Sequence, residues 1–330
     1  MLAGHRGEAV RDLQHRLGSL GHPTTGDEPG TFAAATEAAV RAFQLSRGLR
    51  VDGICGPQTW STLVEAGWRL GDRHLYLRQP MLRGDDVAAL QSRLGALGFD
   101  AGRVDGIFGP DTKRALDEFQ RNIGIVVDGI CGLGTLAMFE RFGQRGAGRQ
   151  PVAAVREAEL LRQAPRTLQG RRVVLADSGG LHAVLRATER VLTAAGADVT
   201  VVRHPDQSDQ AAEANAARGD VFLGLRLEPG ADGCTSAHYA GHRYESAGGR
   251  RLAELVQSIV PEAVDIGDGG VKGMAIAVLK ETRMPAVVCD LGPPSHVVAH
   301  TAELAVALGA VFAAWVESPV EEVAAATPEG

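Results

Sequence analysis

Imidazole is the side chain best suited to holding a transition metal or shuttling a proton near neutral pH. This chain sets two histidine pairs four residues apart, His238 with His242 and His296 with His300, and places His182 just after the run Asp177-Ser178-Gly179-Gly180. Neither pair has the HExxH form, in which a glutamate between the ligands acts as general base, and paired surface histidines are commonly just solvated. No bound metal is therefore expected, and a site built from His182, His238 and His242 is the alternative. Trp60, Trp68 and Tyr76 could stack on sugar rings, although aromatics at helical spacing more often belong to a core. The cysteines Cys55, Cys131, Cys234 and Cys289 are far apart and form no CxxC. They are expected to be reduced and to pack as small hydrophobes.

The elements that position these residues follow from periodicity. From Arg172 the chain alternates short β-branched runs with helical patterns: strands at 172–176, 198–203, 220–227 and 285–291, helices at 181–195, 207–217, 245–260 and 296–316, and possible strands at 234–240 and 273–280. Such alternation predicts a mostly parallel sheet covered on both faces. Ligands and chemistry gather at the carboxyl ends of such strands, so the first strand, ending at Asp177-Ser178-Gly179-Gly180, points to the candidate site.

The first half is a repeat. Val-Asp-Gly-Ile-Cys-Gly occurs at 51–56 and again at 127–132, Phe43-Gln44 recurs as Phe119-Gln120, and Leu13-Gln14 with Leu17 recurs as Leu90-Gln91 with Leu94. A third version, Val-Asp-Gly-Ile-Phe-Gly, stands at 104–109; in the first copy Pro23 to Thr31 takes its place. Apolar residues at helical spacing, separated by Asp-Gly turns, predict two all-α three-helix modules at 4–67 and 81–142. The Gly-rich run from Phe142 to Pro151 reads as a hinge, within a linker at 143–171 that carries a short helix at 152–164. The α/β domain is placed at 172–317 and an acidic tail at 318–330.

The bulk numbers agree with a multidomain globular chain: 330 residues, 45% hydrophobic, net charge −6. Without clustered excess cation there is no general pull toward nucleic acid or acidic lipid. No run is apolar and long enough to span a membrane, and no secretory signal is visible at the amino terminus, which predicts a cytoplasmic protein. A cell-wall or secreted location is the alternative if the start is misassigned.

The spaced LQ, VDG and FQ elements resemble the peptidoglycan-binding-like domain, most completely in the second copy, which implies an adaptor for wall glycan or muropeptide. The order of strand ends from Val173 to Asp290 resembles the zinc-dependent N-acetylmuramoyl-L-alanine amidases, which cut the amide between glycan and stem peptide. That resemblance implies ligands in a GHGG turn, at the start of the next helix and in an S-[IL]-H segment, with a catalytic Glu in the last strand. Here the positions read Ser178, a largely absent segment, Arg226 and Asp290. Arginine cannot ligate Zn²⁺, since it has no free lone pair and stays charged. The domain is therefore expected to keep an amidase fold without amidase chemistry, with Ser178, Arg226 and Asp290 vestigial and an Arg226–Asp290 ion pair as the candidate occupant of the vacated place.

The whole chain resembles an actinobacterial type of amidase homologue. The likeness implies a cytoplasmic regulator of peptidoglycan precursor synthesis that binds muropeptide or a wall-synthesis enzyme, the enolpyruvyl transferase in that type's case. It also implies control by a Ser/Thr kinase; Ser318 and Thr327 are the tail's only hydroxyls. The alternative is an active zinc amidase of peptidoglycan turnover.

Overall fold

The computed structural model describes residues 1–143, 152–241 and 244–320. Most of the expected hinge, His242 and the tail beyond Val320, with Thr327, lie outside the described residues. The chain divides into two compact units, Met1–Val155 with Ala240–Tyr244, and Arg156–Tyr239 with Glu245–Gly330.

The first unit carries six helices among its described residues in two successive sets: α1 (Glu8–Ser19), α2 (Ala34–Ser46) and α3 (Pro57–Ala66), then α4 (Asp85–Ala96), α5 (Pro110–Ile123) and α6 (Leu133–Gly143). Each set closes on its own apolar centre, one built on Leu13, Leu17, Val40, Phe43 and Leu63, the other on Leu90, Leu94, Phe108, Leu116, Phe119 and Phe139. Proline opens α3 and α5, where its missing N–H costs no helical bond, and Gly124 ends α5 in the left-handed region at φ 74°. The same edge contact recurs in both sets: Met1 and Cys55 exchange backbone hydrogen bonds, as Leu75 and Cys131 do.

The repeated glutamines explain the repeated turns. Gln91, 2% exposed, donates from Nε2 to Asp105 Oδ1 (2.9 Å), the Ile107 carbonyl (3.1 Å) and Thr112 Oγ1 (3.1 Å), while its Oε1 accepts the Gly106 N–H at 2.9 Å. Gln44 makes the same bracket with Asp52, Ile54, Thr59 and Gly53, and Gln120 makes it with Asp128, Ile130, Thr135 and Gly129. In the first set the inner Asp-Gly is absent, yet Gln14 still donates to Thr36 Oγ1 and the Thr31 carbonyl and accepts from Gly30 N–H at 2.7 Å. Each bracket satisfies buried turn groups that would otherwise be orphaned.

The second unit is an α/β layer structure. α7 (Val152–Gln163) precedes β1 (Arg172–Asp177), α8 (His182–Ala194), β2 (Asp198–Arg203), α9 (Gln207–Ala216), β3 (Val221–Leu227) and β4 (Gly233–Tyr239). Then come α10 (Ala247–Val264), β5 (Gly267–Met274), α11 (Ala277–Glu281), β6 (Ala286–Leu291), α12 (Pro294–Ala299) and α13 (Thr301–Glu317). The sheet order is β2-β1-β3-β6-β4-β5. Neighbours run parallel except β4 against β6, which are antiparallel, so the sheet is mixed with a mostly parallel body. Alternate residues of the strands, among them Leu175, Leu223, Leu225 and Val287, bury into a core with α8, α10 and α13 that contains Trp315. Leu161 and Leu168 join that core, and Glu157 of α7 accepts hydrogen bonds from Ser246 Oγ (2.6 Å) and Gly248 N–H (3.1 Å) at the start of α10.

Two local expectations are corrected. The segment 273–280 is the end of β5 followed by helix α11, where Val278 and Leu279 bury together with Thr282 one turn further on. The expected closing helix from 296 is broken into α12 and α13, with His300 between them at φ −102° and ψ 33°.

Candidate functional site

β1 ends at the run that sequence singled out. Asp177 is buried and accepts the Gly179 N–H on Oδ1 (2.7 Å) and the Leu181 N–H on Oδ2 (3.2 Å), turning the chain into α8. Gly180 sits at φ 95°, a left-handed conformation that favours glycine, while a Cβ there would meet the movable Leu227 Cδ1 methyl at 2.9 Å. Ser178 Oγ accepts a hydrogen bond from Gln210 Nε2 at 3.2 Å, and Gln210 also donates to the His204 carbonyl at 2.6 Å. Gln210 is buried on α9, so it ties Ser178 to the layer that covers this face of the sheet.

Arg226 and Asp290 are register partners on β3 and β6. Arg226 Nε lies 2.7 Å from Asp290 Oδ1 and its Nη2 lies 2.9 Å from Oδ2, a two-pronged fork. Such paired bonds fix the orientation of both groups. The side chains are 29% and 28% exposed, so the pair sits at the rim rather than inside.

The described histidines do not converge. His182 is exposed at the start of α8. His238 is buried on β4, its Nε2 2.8 Å from Glu245 Oε1 and its Nδ1 without a partner among the described residues. His296 and His300 stack at 4.1 Å between ring centroids. One nitrogen of each meets a backbone oxygen, Val264 O at 2.7 Å and His296 O at 2.9 Å. Among the described residues no group of three or more His, Cys, Asp or Glu is placed to hold a metal ion.

A model of the putative peptidoglycan binding domain matches residues 6–63 and 83–139. The chain is 36% identical over 328 residues to N-acetylmuramoyl-L-alanine amidase CwlM of Mycobacterium tuberculosis, covering 88% of this chain and 80% of that protein. The chain belongs to the N-acetylmuramoyl-L-alanine amidase family. It is also 34% identical over 156 residues to N-acetylmuramoyl-L-alanine amidase CwlL of Bacillus licheniformis, across 41% of this chain and 43% of that one. Among solved structures, an N-acetylmuramoyl-L-alanine amidase from Clostridium difficile 630 aligns with 19% identity and a TM-score of 0.39 over 46% of this chain and 99% of its own.

Zinc in an amidase of this family would need three nitrogen, sulfur or carboxylate ligands and an open position for water. The positions that the family resemblance assigns present the Ser178 hydroxyl, the Arg226 guanidinium and an Asp290 carboxylate already engaged by that guanidinium. This donor set does not fit the ion: a guanidinium repels it, and the one carboxylate has both oxygens in a fork.

In the peptidoglycan-binding modules the three aromatic candidates stand in different settings. Trp60 packs against the apolar centre of the first module, with the Arg16 guanidinium carbon 5.6 Å from its ring centroid. Trp68 is exposed at the edge, but Arg73 lies over its ring at 4.4 Å and is held there by Asp86, with Nε–Oδ2 2.7 Å and Nη2–Oδ1 3.1 Å. Tyr76 is exposed. The residues that sequence reading left without a role are the bracketing glutamines; their recurrence beside each turn was the signal.

Proposed function

We propose that this chain is a non-catalytic amidase homologue that regulates or scaffolds peptidoglycan precursor synthesis by binding protein or muropeptide. The observation that carries the reading is the Arg226–Asp290 fork, which places a cation where the family's resemblance expects a zinc ligand and occupies the carboxylate expected to serve catalysis. In an active zinc amidase the metal supplies an activated water that attacks the amide; Ser178, Arg226 and Asp290 have no donor set to hold that ion. The paired modules support a peptidoglycan-derived ligand. Among the described residues no helix is long and apolar enough to cross a membrane. The cytoplasm is the proposed location, and the enolpyruvyl transferase that opens the precursor pathway is the proposed partner. A Ser/Thr kinase acting on Ser318 or Thr327 is the proposed control.

The competing reading, an active zinc amidase of wall turnover, draws on the names of the relatives. Metal analysis of the purified chain, together with release of stem peptide from purified peptidoglycan, separates the two. The proposal expects no stoichiometric zinc and no release; stoichiometric zinc together with release of stem peptide would overturn it. Addition of the chain to the transferase should alter its turnover, and an unchanged rate with no measurable complex removes that partner.

A further inference from the structure

The two helical modules belong to one compact unit, and the chain between their cores has little free length. Ala66 of α3 is buried in the first module's centre, while Leu70 packs against the second module's centre and Leu75 is buried in it. Gly67, Trp68 and Arg69 are all that lie between the first two of these anchors. Beyond them Arg73 ties the link to α4 through its fork with Asp86, whose side chain is 1% exposed, and it donates from Nη2 to the Arg83 carbonyl at 2.6 Å. A Cβ on Gly84, at the entry to α4, would lie 3.2 Å from the Glu65 carbonyl oxygen of α3, so the last helix of the first module passes close to the first helix of the second.

A side-chain pair spans this joint. Arg47, which follows α2, places Nη1 3.0 Å from Oδ1 and 2.8 Å from Oδ2 of Asp85 at the start of α4. The guanidinium carbon of Arg47 lies 5.8 Å from the ring centroid of buried Phe43, which seats the cation on the first module. Asp85 and Asp86 both stand in the first turn of α4, where the helix dipole favours carboxylates. The first module grips one of them and the link grips the other. The repeat shows that the module fold does not require this arrangement. In the register that aligns Leu13 with Leu90 and Phe43 with Phe119, the counterparts of Asp85 and Asp86 are Glu8 and Ala9, and that of Arg47 is Ile123. Glu8 pairs instead with Arg11 of its own helix.

We infer that Arg47 and Asp85 form a clasp that holds the two modules in one fixed orientation about a pivot at Gly67, Trp68 and Arg69. The two side chains are 18% and 28% exposed, and partly solvated ion pairs are weak on their own. A tether this short keeps the two ends at high effective concentration, so a weak contact suffices to select one orientation. Removal of either charge frees the pivot while each module keeps its own core. On the reading that the modules bind a peptidoglycan-derived ligand, the clasp presents both of them to it at one spacing, but the clasp itself needs no ligand.

The test is the distance distribution between spin labels on the two modules of the full chain, read by pulsed electron paramagnetic resonance with no ligand added. Labels are carried by His15→Cys on α1 and Arg121→Cys on α5, both exposed positions, and the four natural cysteines are buried. The expected result is one narrow distribution with Arg47 and Asp85 in place, a broad one in Arg47→Ala and in Asp85→Ala, and no further broadening when the two are combined. Helical content measured by circular dichroism separates a freed joint from unfolding. Arg47 lies outside the helices, so Arg47→Ala decides the matter if Asp85→Ala loses helix. A broad distribution with both charges in place, a narrow one in Arg47→Ala, or single effects that add in the double variant would overturn the clasp. Each of these outcomes leaves the ligand reading to its own test, since no ligand is present.

Discussion

The helical modules and the α/β unit use polar side chains in opposite ways. In the modules each bracketing glutamine is buried and spends its amide on backbone groups of a turn, so the fold depends on it. At the rim of the sheet, Arg226 and Asp290 bind each other while partly exposed to water. The first arrangement is structural and recurs with its turn. The second fills positions that the family resemblance assigns to chemistry while placing little demand on the fold.

The comparison is broken most directly by Gln91→Leu. It strands the Gly106 N–H and the Ile107 carbonyl inside the module, and two unsatisfied buried groups should cost about 3 kcal/mol. Urea unfolding followed by circular dichroism reads this, and a loss under about 1 kcal/mol would mean that water replaces the amide freely. Next comes Gly106→Ala: φ is 73° and a Cβ would meet the Gly84 carbonyl oxygen at 3.0 Å, which should cost about 2 kcal/mol. Gly98→Ala, also at positive φ but with nothing within 4 Å, should cost about half as much; equal losses would show that the close approach is irrelevant.

Arg226→Ala should cost only about 1 kcal/mol, because the pair is partly solvated, and a double-mutant cycle with Asp290→Ala should give a coupling of similar size. A coupling above about 3 kcal/mol would place the fork with the buried brackets and erase the contrast. The smallest expected effect is on pH. Hydrogen bonds from the Ile130 N–H and Gln120 hold the Asp128 carboxyl below its ordinary value of 3.8. A depressed folded-state value means the contribution is fully present above that ordinary value and is lost as pH falls through the lower folded one. Stability measured from neutral pH to below pH 4 should therefore drop less steeply at the acid end in Asp128→Asn. An unchanged acid limb would detach Asp128 from the bracket energetically.

Much of the fold was legible because burial is periodic along a helix. Leu90, Leu94, Leu116 and Phe119 announce their helices and bury as that spacing requires. β5 was hidden for the converse reason: Gly267–Met274 is an edge strand, exposed along most of its length, so no core imposes an alternating pattern on it. The stretch that reads as strand at 273–280 is a short, nearly continuous apolar run, which does not by itself separate strand from helix; it meets α9 as a helix, with Asn215 of α9 bonded to the Glu281 carbonyl at 2.9 Å and to the Arg283 N–H at 2.9 Å. His296 and His300 share a helical spacing on paper, but the break at His300 sets their relation instead.

By itself the sequence determined the repeat, the helical modules, the order of strands and helices from β1 to β3, and which residue types stand at the sheet's rim. Those are properties of neighbours along the chain, where spacing and turn chemistry act directly. The tertiary structure alone decided that β4 runs against β6 and that each repeated glutamine closes a turn, and it gave the two-pronged geometry of the Arg226–Asp290 pair, 64 residues apart, that the sequence only suggested. Such partners are chosen by the distance between groups in space and by the need to satisfy them once water is excluded, and neither is written in local spacing.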